Sequence, residues 1–151
     1  MRTYLVVMDE SEEARLALRF AARRASKTGG AVHILAMVPQ ADFVAWGGVQ
    51  ATMEEEARVR AEELVTNAAG TIVQEMGTRP AITVKSGEGV EVVRAMLDDH
   101  PEIAALVLGA SAQGSPGPMV THFTGIDAGT LRCPVMVIPG SLTDEQIDEL
   151  S

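Results

Sequence analysis

The chain has 151 residues, 46% of them apolar and 22% charged, with one cysteine and a formal net charge of −9. That length and composition fit one globular domain with a sizeable core, and a single cysteine excludes an internal disulfide framework or a multi-cysteine zinc site. The negative charge, with an aromatic content of only 3%, argues against nucleic acid and anionic membranes as partners.

Tyr4 to Met8 is an unbroken apolar run, the pattern of a strand buried on both faces. Ser11 then supplies an N-cap, and Glu12 and Glu13 suit the positive end of a helix dipole. Ala14, Leu18, Ala21 and Ala25 recur at helical spacing, and Gly29-Gly30 closes the helix. Ala31 to Val38 reads as a second apolar strand stopped by Pro39, and Gln40 to about Val49, containing Trp46-Gly47-Gly48, as a loop. A long amphipathic helix is predicted from about Thr52 to Met76 on the stripe Val65, Ala68, Ala69, Ile72, Val73 and Met76. Its run Glu54-Glu55-Glu56 reads as a solvated stretch near the helix start. Ala81 to Lys85 alternates as a strand does, and Val90, Val93 and Leu97 mark a third helix stopped at His100-Pro101. Ile103 to Leu108 is another buried strand, and Gly109 to Pro118 a loop. Val120 to Arg132 is a fourth helix weakened by Gly125 and Gly129, and Val135 to Ile138 is the last strand.

The alternation of strands and helices predicts an α/β fold with a five-stranded, mostly parallel open sheet and helices on both faces, in one domain over residues 1–140. Residues 141–151 form an acidic tail, read as a short helix or a frayed end. Thr143 and Gln146 supply a capping box for the helical form. No apolar run reaches the length a bilayer requires and the N-terminus lacks a signal-peptide pattern, so a cytoplasmic protein is expected.

In such a sheet ligands bind beyond the carboxyl ends of the strands, near the change in strand order. Asp9, Val38 and Gly109 stand at those ends, and helix N-termini there present N–H groups that suit phosphate. The residues at these ends resemble a known family. Val6-Val7-Met8-Asp9-Glu10-Ser11-Glu12-Glu13 is similar to the opening of universal stress proteins. Gly87-Glu88-Gly89 resembles their third strand-to-helix turn, Ala105 to Ser111 their fourth strand and phosphate loop, and Cys133-Pro134-Val135-Met136-Val137-Ile138 their last strand. The resemblance covers about Arg2 to Pro139.

It implies a Rossmann-like fold of the adenine-nucleotide alpha-hydrolase type and a homodimer through Val135 to Ile138, a strand that would otherwise be an exposed sheet edge. For the nucleotide-binding branch it implies ATP, ADP or AMP with Mg, held by Asp9, Ser11, the backbone near Val38, and a loop carrying Gly109 and Ser111. That loop reads G-x-x-G followed later by G-S or G-T, and this chain departs from it. Ala112 stands at the second glycine, and the later pair falls on Thr121-His122 or His122-Phe123, depending on the end from which it is counted. Ala at a left-handed position costs about 1 kcal/mol or more, and a lost hydroxyl bond to charged phosphate roughly 1.5–3 kcal/mol. Together these weaken binding by roughly a hundredfold. Between Lys85 and Arg132 the only basic residue is Arg94. Gly114, Ser115 and Gly117 offer a different anion nest, from which Pro116 and Pro118 remove two donors.

The expectation is a non-enzymatic stress-response or signalling module with no tightly bound cofactor, the alternative being a nucleotide-dependent sensor of the same fold. An ATP pyrophosphatase of related architecture needs a glycine-rich loop after the first strand, and Met8-Asp9-Glu10-Ser11-Glu12 has no glycine. Asp9 reads as a ribose or adenine contact or as a turn residue. Ser11 reads as a cap rather than a nucleophile. His122, at the expected start of the fourth helix, reads as an anion contact or as a plain polar residue closing the site. His33 is expected to be structural, Asp98-Asp99-His100 solvated, and Cys133 a buried inert thiol.

Overall fold

Six residues with no polar side chain beyond Thr3 and Tyr4, Thr3–Met8, form β1, and they take the centre of the sheet because both of their faces are apolar. The computed structural model describes residues 1–38 and 47–151, so Trp46 and the chain around it lie outside the described residues. In chain order the elements are β1, α1 (Glu12–Thr28), β2 (Ala31–Val38), α2 (Gly47–Met76), β3 (Ala81–Ser86), α3 (Gly89–Asp99), β4 (Ile103–Ala110), α4 (Pro118–Phe123), β5 (Val135–Pro139) and α5 (Asp144–Leu150). The five strands pair in the order β3-β2-β1-β4-β5, and each pairing is parallel. The expected α/β sheet is therefore what the chain forms, and it is parallel throughout.

Leu5, Val6, Ile34, Leu35, Leu106 and Val107 are fully buried along the three central strands. Val6, Ile34 and Val107 belong to the core beneath α1, α2 and α5; Leu5, Leu35 and Leu106 belong to the core beneath α3 and α4. This is the period-two alternation of a sheet covered on both faces.

Local chemistry sets the helix ends. The Ser11 side chain accepts the Ala14 N–H at 3.2 Å, and Gly29 ends α1 in the left-handed region at φ +67°. Glu88 caps α3 by accepting the N–H groups of Val90 and Glu91. The guanidinium of Arg132 donates to the carbonyls of Leu97, His100 and Pro101, closing the other end of α3.

Two boundaries differ from the sequence expectation. Helix α2 begins at Gly47 rather than near Thr52. Helix α4 runs only over Pro118–Phe123, against the expected Val120 to Arg132, and turns follow to Arg132. Pro118 at the first helical position starts it early. The Gly125 N–H returns to the His122 carbonyl instead of continuing the helix, and Asp127 also donates its N–H there. Arg132, expected in the last turn of α4, caps α3 instead.

The acidic tail is a helix, α5, and its capping box is formed between Thr143 and Gln146. Ile147 is fully buried in the α1 core cluster, while Arg15 and Arg19 of α1 reach Asp144 and Asp148 at 2.7 and 2.8 Å. Arg15 holds the carboxyls of Glu12 and Asp144 below their ordinary range, and Arg19 does the same for Asp148. Depressed carboxylates stabilise the folded state above their ordinary titration range, and that contribution disappears as pH falls through the folded values. Helix α5 is accordingly expected to stay docked from neutral pH down to about pH 4 and to loosen below it, read as a rise in α5 amide exchange that precedes global acid unfolding.

His33 lies buried on β2, shares a 2.7 Å hydrogen bond with Thr83 of β3, and meets His100 edge-on at 5.3 Å. Burial first and His100 second push its pKa below the ordinary 6.5. The folded state therefore refuses a proton that the unfolded chain accepts, and stability is lost as pH falls below that value. The urea midpoint should drop between pH 7.5 and 5.5, with a shallower drop in His33→Gln.

Candidate functional site

From β1 the chain moves outward to β2 and β3, then crosses to β4 on the other side of β1, so the change of direction lies between β1 and β4. A cavity of about 340 Å³ opens there, lined by Met8, Asp9, Ser11 and Glu13 from the β1–α1 turn, Gly109 and Ser111 from β4, and residues 116–120. Asp9 also borders two further cavities, of about 340 Å³ between α1 and α2 and about 390 Å³ over the end of β2. Met8 and Asp9 border all three.

The β1–α1 turn is built by its own side chains. Asp9 Oδ1 accepts the Ser11 N–H at 2.8 Å, a local turn that leaves Ser11 positioned to cap α1. Asp9 is exposed at the cavity mouth; Ser11 is a cap, as expected.

Gly109 has a packing reason for being glycine. A Cβ at this position would run into the backbone carbonyl of Glu13, so the first turn of α1 rests directly on β4. Its φ is not positive, and the conformational reason expected of a phosphate-loop glycine does not apply here. Gly140, just after β5, makes the same kind of room, since a Cβ there would lie 2.7 Å from the Ala110 carbonyl oxygen and 3.1 Å from the Glu13 Cβ.

The loop from Ser111 to Gly117 closes on itself. The Ser111 N–H donates to the Pro116 carbonyl at 3.1 Å. The Gln113 N–H donates to the Ser111 hydroxyl, which also bonds the Gln113 carbonyl, and the Gly117 N–H reaches the Ser115 hydroxyl. Gly114 and Gly117 hold φ values of +70° and +117°. Pro116 and Pro118 carry no N–H. The stretch thus has the glycine turns of a nest, but its Ser111, Gln113 and Gly117 donors are engaged inside the loop.

The structure brings Asp9, Ser11, Gly109 and Ser111 together around one cavity. It leaves the other three candidates outside that lining. Val38 is 2% exposed, with its side chain in the core under α2, while its strand pairs with β3 at Ser86. Ala112 is exposed on the loop. His122 sits near the end of α4 rather than at its start, because the helix begins at Pro118. Its Nε2 meets Asp127 Oδ2 at 2.6 Å. Asp127, buried, also accepts from Arg94, and the His122 ring stands edge-on to Phe123. The histidine is part of a brace between α3, α4 and the turns that follow.

Sequence reasoning missed Glu13, Met37 and Met119 as lining residues and Asp127 as the partner of His122. The charged lining residues are Asp9 and Glu13, and among the described residues the lining includes no Lys or Arg. Among the described residues no three His, Cys, Asp or Glu side chains are placed to hold a metal ion. Cys133 is buried, and that burial pushes its thiol pKa up, away from reactivity.

Gly109→Ala should lower unfolding stability by about 1–3 kcal/mol or more, because the clash is with backbone that cannot rotate away. A urea midpoint within error of wild type would remove the packing account of this glycine.

A model of the universal stress protein family matches residues 1–139. No curated protein matches the chain. Among solved structures, the universal stress protein UspA from Lactobacillus plantarum is 18% identical with a TM-score of 0.77, over 91% of this chain and 97% of that one. A universal stress protein family member from Burkholderia pseudomallei is 18% identical with a TM-score of 0.71, over 91% and 95%. A universal stress protein from Archaeoglobus fulgidus, solved in complex with dAMP, is 20% identical with a TM-score of 0.65, over 91% and 98%. With a family model spanning nearly the whole sheet and a fold shared with these structures, this chain belongs to the universal stress protein family.

Proposed function

We propose that the protein is a non-catalytic binding module of the universal stress protein family whose cavity at the β1–β4 crevice does not grip a Mg-triphosphate tightly. One observation carries the reading: the charged residues lining the cavity are Asp9 and Glu13, and the Ser111, Gln113 and Gly117 N–H groups of the adjoining loop are engaged within it. A triphosphate placed there meets Asp9 and Glu13 without a lysine or arginine in the lining, and like charges repel where neighbouring low-dielectric walls screen them poorly. To recruit the Ser111 and Gln113 N–H groups it must first break their internal bonds, so the gain is the difference of two hydrogen bonds rather than a new one. The residues of the cavity do not fit the group that the nucleotide-binding branch holds. On this reading the protein works as a homodimer through β5 in the cytoplasm, by presenting surface to partners rather than by turning over a nucleotide.

A second reading, a sensor of adenosine monophosphates, is favoured by a different feature. The cavity over the end of β2 is lined by Ala36, Met37, Ala57, Ala61 and Leu64, an apolar bed bordered by Arg60 on one side and by Asp9 and Glu10 on the other, so that a base fits the bed and one cation offsets part of the acidic edge. The archaeal relative was solved with dAMP.

Thermal unfolding separates the two. A ligand present at a hundred times its Kd adds about 2.7 kcal/mol, which in a chain of this size raises Tm by roughly 5–10 °C. Millimolar Mg-ATP is expected to move Tm by less than about 1 °C. A rise of several degrees with ATP that disappears in Asp9→Ala overturns the first reading; a rise with AMP alone establishes the second. Mass spectrometry of small molecules carried through native purification gives an independent answer.

A further inference from the structure

We propose that the outer face of α1 is a docking site for acidic amphipathic helices, and that α5 occupies it within the same chain. Three arginines recur along α1 at Arg15, Arg19 and Arg23, one turn apart and therefore on one face. Arg15 reaches Asp144, Arg19 forms a two-point pair with Asp148 at 2.8 Å for both bonds, and Arg23 reaches the Asp148 carbonyl and the Ser151 hydroxyl. Between the two aspartates Ile147 is fully buried, in the cluster that also holds Ile138, with Met136 and Leu142 packed against it. Asp144, Ile147 and Asp148 fall at i, i+3 and i+4, one face of the helix. The resident segment thus spells out what the surface recognises: an aliphatic anchor with an acid one turn before it and another directly after.

The hold on α5 is of the exchangeable kind. The helix has seven residues, too few to be stable alone. Ile147 is its one buried apolar residue and Leu150 is 63% exposed. The ion pairs are partly solvated, a class of interaction worth little singly and weakened by salt. Helix α5 also lies beyond residues 1–139, the segment that matches the family, whereas the arginine face lies within it. Removal of α5 bares Arg15, Arg19 and Arg23 beside an apolar socket, with Arg15 still paired to Glu12 and Arg19 3.9 Å from Glu75, and on a protein of net charge −9 the donors that α5 vacates, those of Arg19 and Arg23 above all, select acidic partners. The inference does not involve the crevice and stands whether or not a nucleotide binds there.

The test uses the full chain carrying Ile147→Asp, which releases α5, and a fluorescein-labelled peptide of residues 141–151 as probe. Binding, followed by polarisation, should be at least tenfold tighter to Ile147→Asp than to wild type. It should weaken tenfold or more when Arg19→Glu and Arg23→Glu are added, and fall with rising salt. A variant that keeps the wild-type circular dichroism spectrum yet binds no better than wild type, or binds a scrambled peptide equally well, overturns the proposal. Should Ile147→Asp fail to fold, amide exchange of the wild-type chain decides. Helix α5 amides must exchange at least a hundredfold faster than those of β1 and β4, and faster still in high salt; exchange of α5 together with β1 and β4 overturns it.

Discussion

Everything at the crevice depends on one backbone-to-backbone contact, the seat of the first turn of α1 on β4 at Gly109. The absence of a side chain there lets the Glu13 carbonyl come within the space a methyl group would fill. Packed interiors tolerate little excess volume, so this approach fixes the height and tilt of the N-terminus of α1 relative to the sheet. Asp9 and Ser11 are then held by their own turn and cap bonds. Gly140 repeats the arrangement from the far side, where the chain leaving β5 passes close to the Ala110 carbonyl and to Glu13. Two small residues far apart in sequence thus clamp the same turn.

The same contact shapes the electrostatics. The contact brings Glu13 into the crevice lining beside Asp9, so the charged residues bordering this strand-end cavity are both acidic. The loop opposite has settled its hydrogen bonds internally, through Ser111, Gln113, Pro116 and Gly117. A loop organised this way gains rigidity from bonds that an incoming phosphate would have to replace. His122 follows the same logic: instead of facing the crevice, it ties α4 to the buried Asp127, which also accepts from Arg94 of α3.

Much of the fold was legible because its signals are local or periodic. Unbroken apolar runs marked β1, β2 and β4, Ser11 and Gly29 marked the ends of α1, and Thr143 with Gln146 marked the start of α5. The end of α4 was not legible. Gly125 and Gly129 only weaken a helix, and the turn bonds to the His122 carbonyl that end it accompany long-range contacts of Asp127 with His122 and Arg94 that no local pattern announces. Gly109 was read as a phosphate-loop residue, and the structure shows a packing reason for it, since a sequence does not distinguish a glycine needed for its torsion angles from one needed for a neighbour's carbonyl. Val38 was read as a strand-end contact through its backbone; the alternating strand puts its side chain in the core and leaves Met37 to line the crevice. The link from Arg15 and Arg19 to α5 carried no local signal, because Asp144 and Asp148 lie 129 residues away from them.

The length of α2 has its own consequence. From Ala57, beside the cavity over β2, to Met76, beside the amino ends of the strands, the helix already spans the height of the sheet. The ten residues from Gly47 to Glu56 must therefore extend past the carboxyl edge, by about 15 Å at 1.5 Å per residue. That overhang carries Glu54, Glu55 and Glu56, all exposed, into the solvent through which a small molecule diffuses toward the crevice. Arg58 and Arg60 follow on the next turn, Arg60 at the rim of the cavity over β2, so the charge at this end of the helix runs from acidic at the tip to basic at the rim, and the range over which a diffusing ion senses that order shrinks to the Debye length as ionic strength rises.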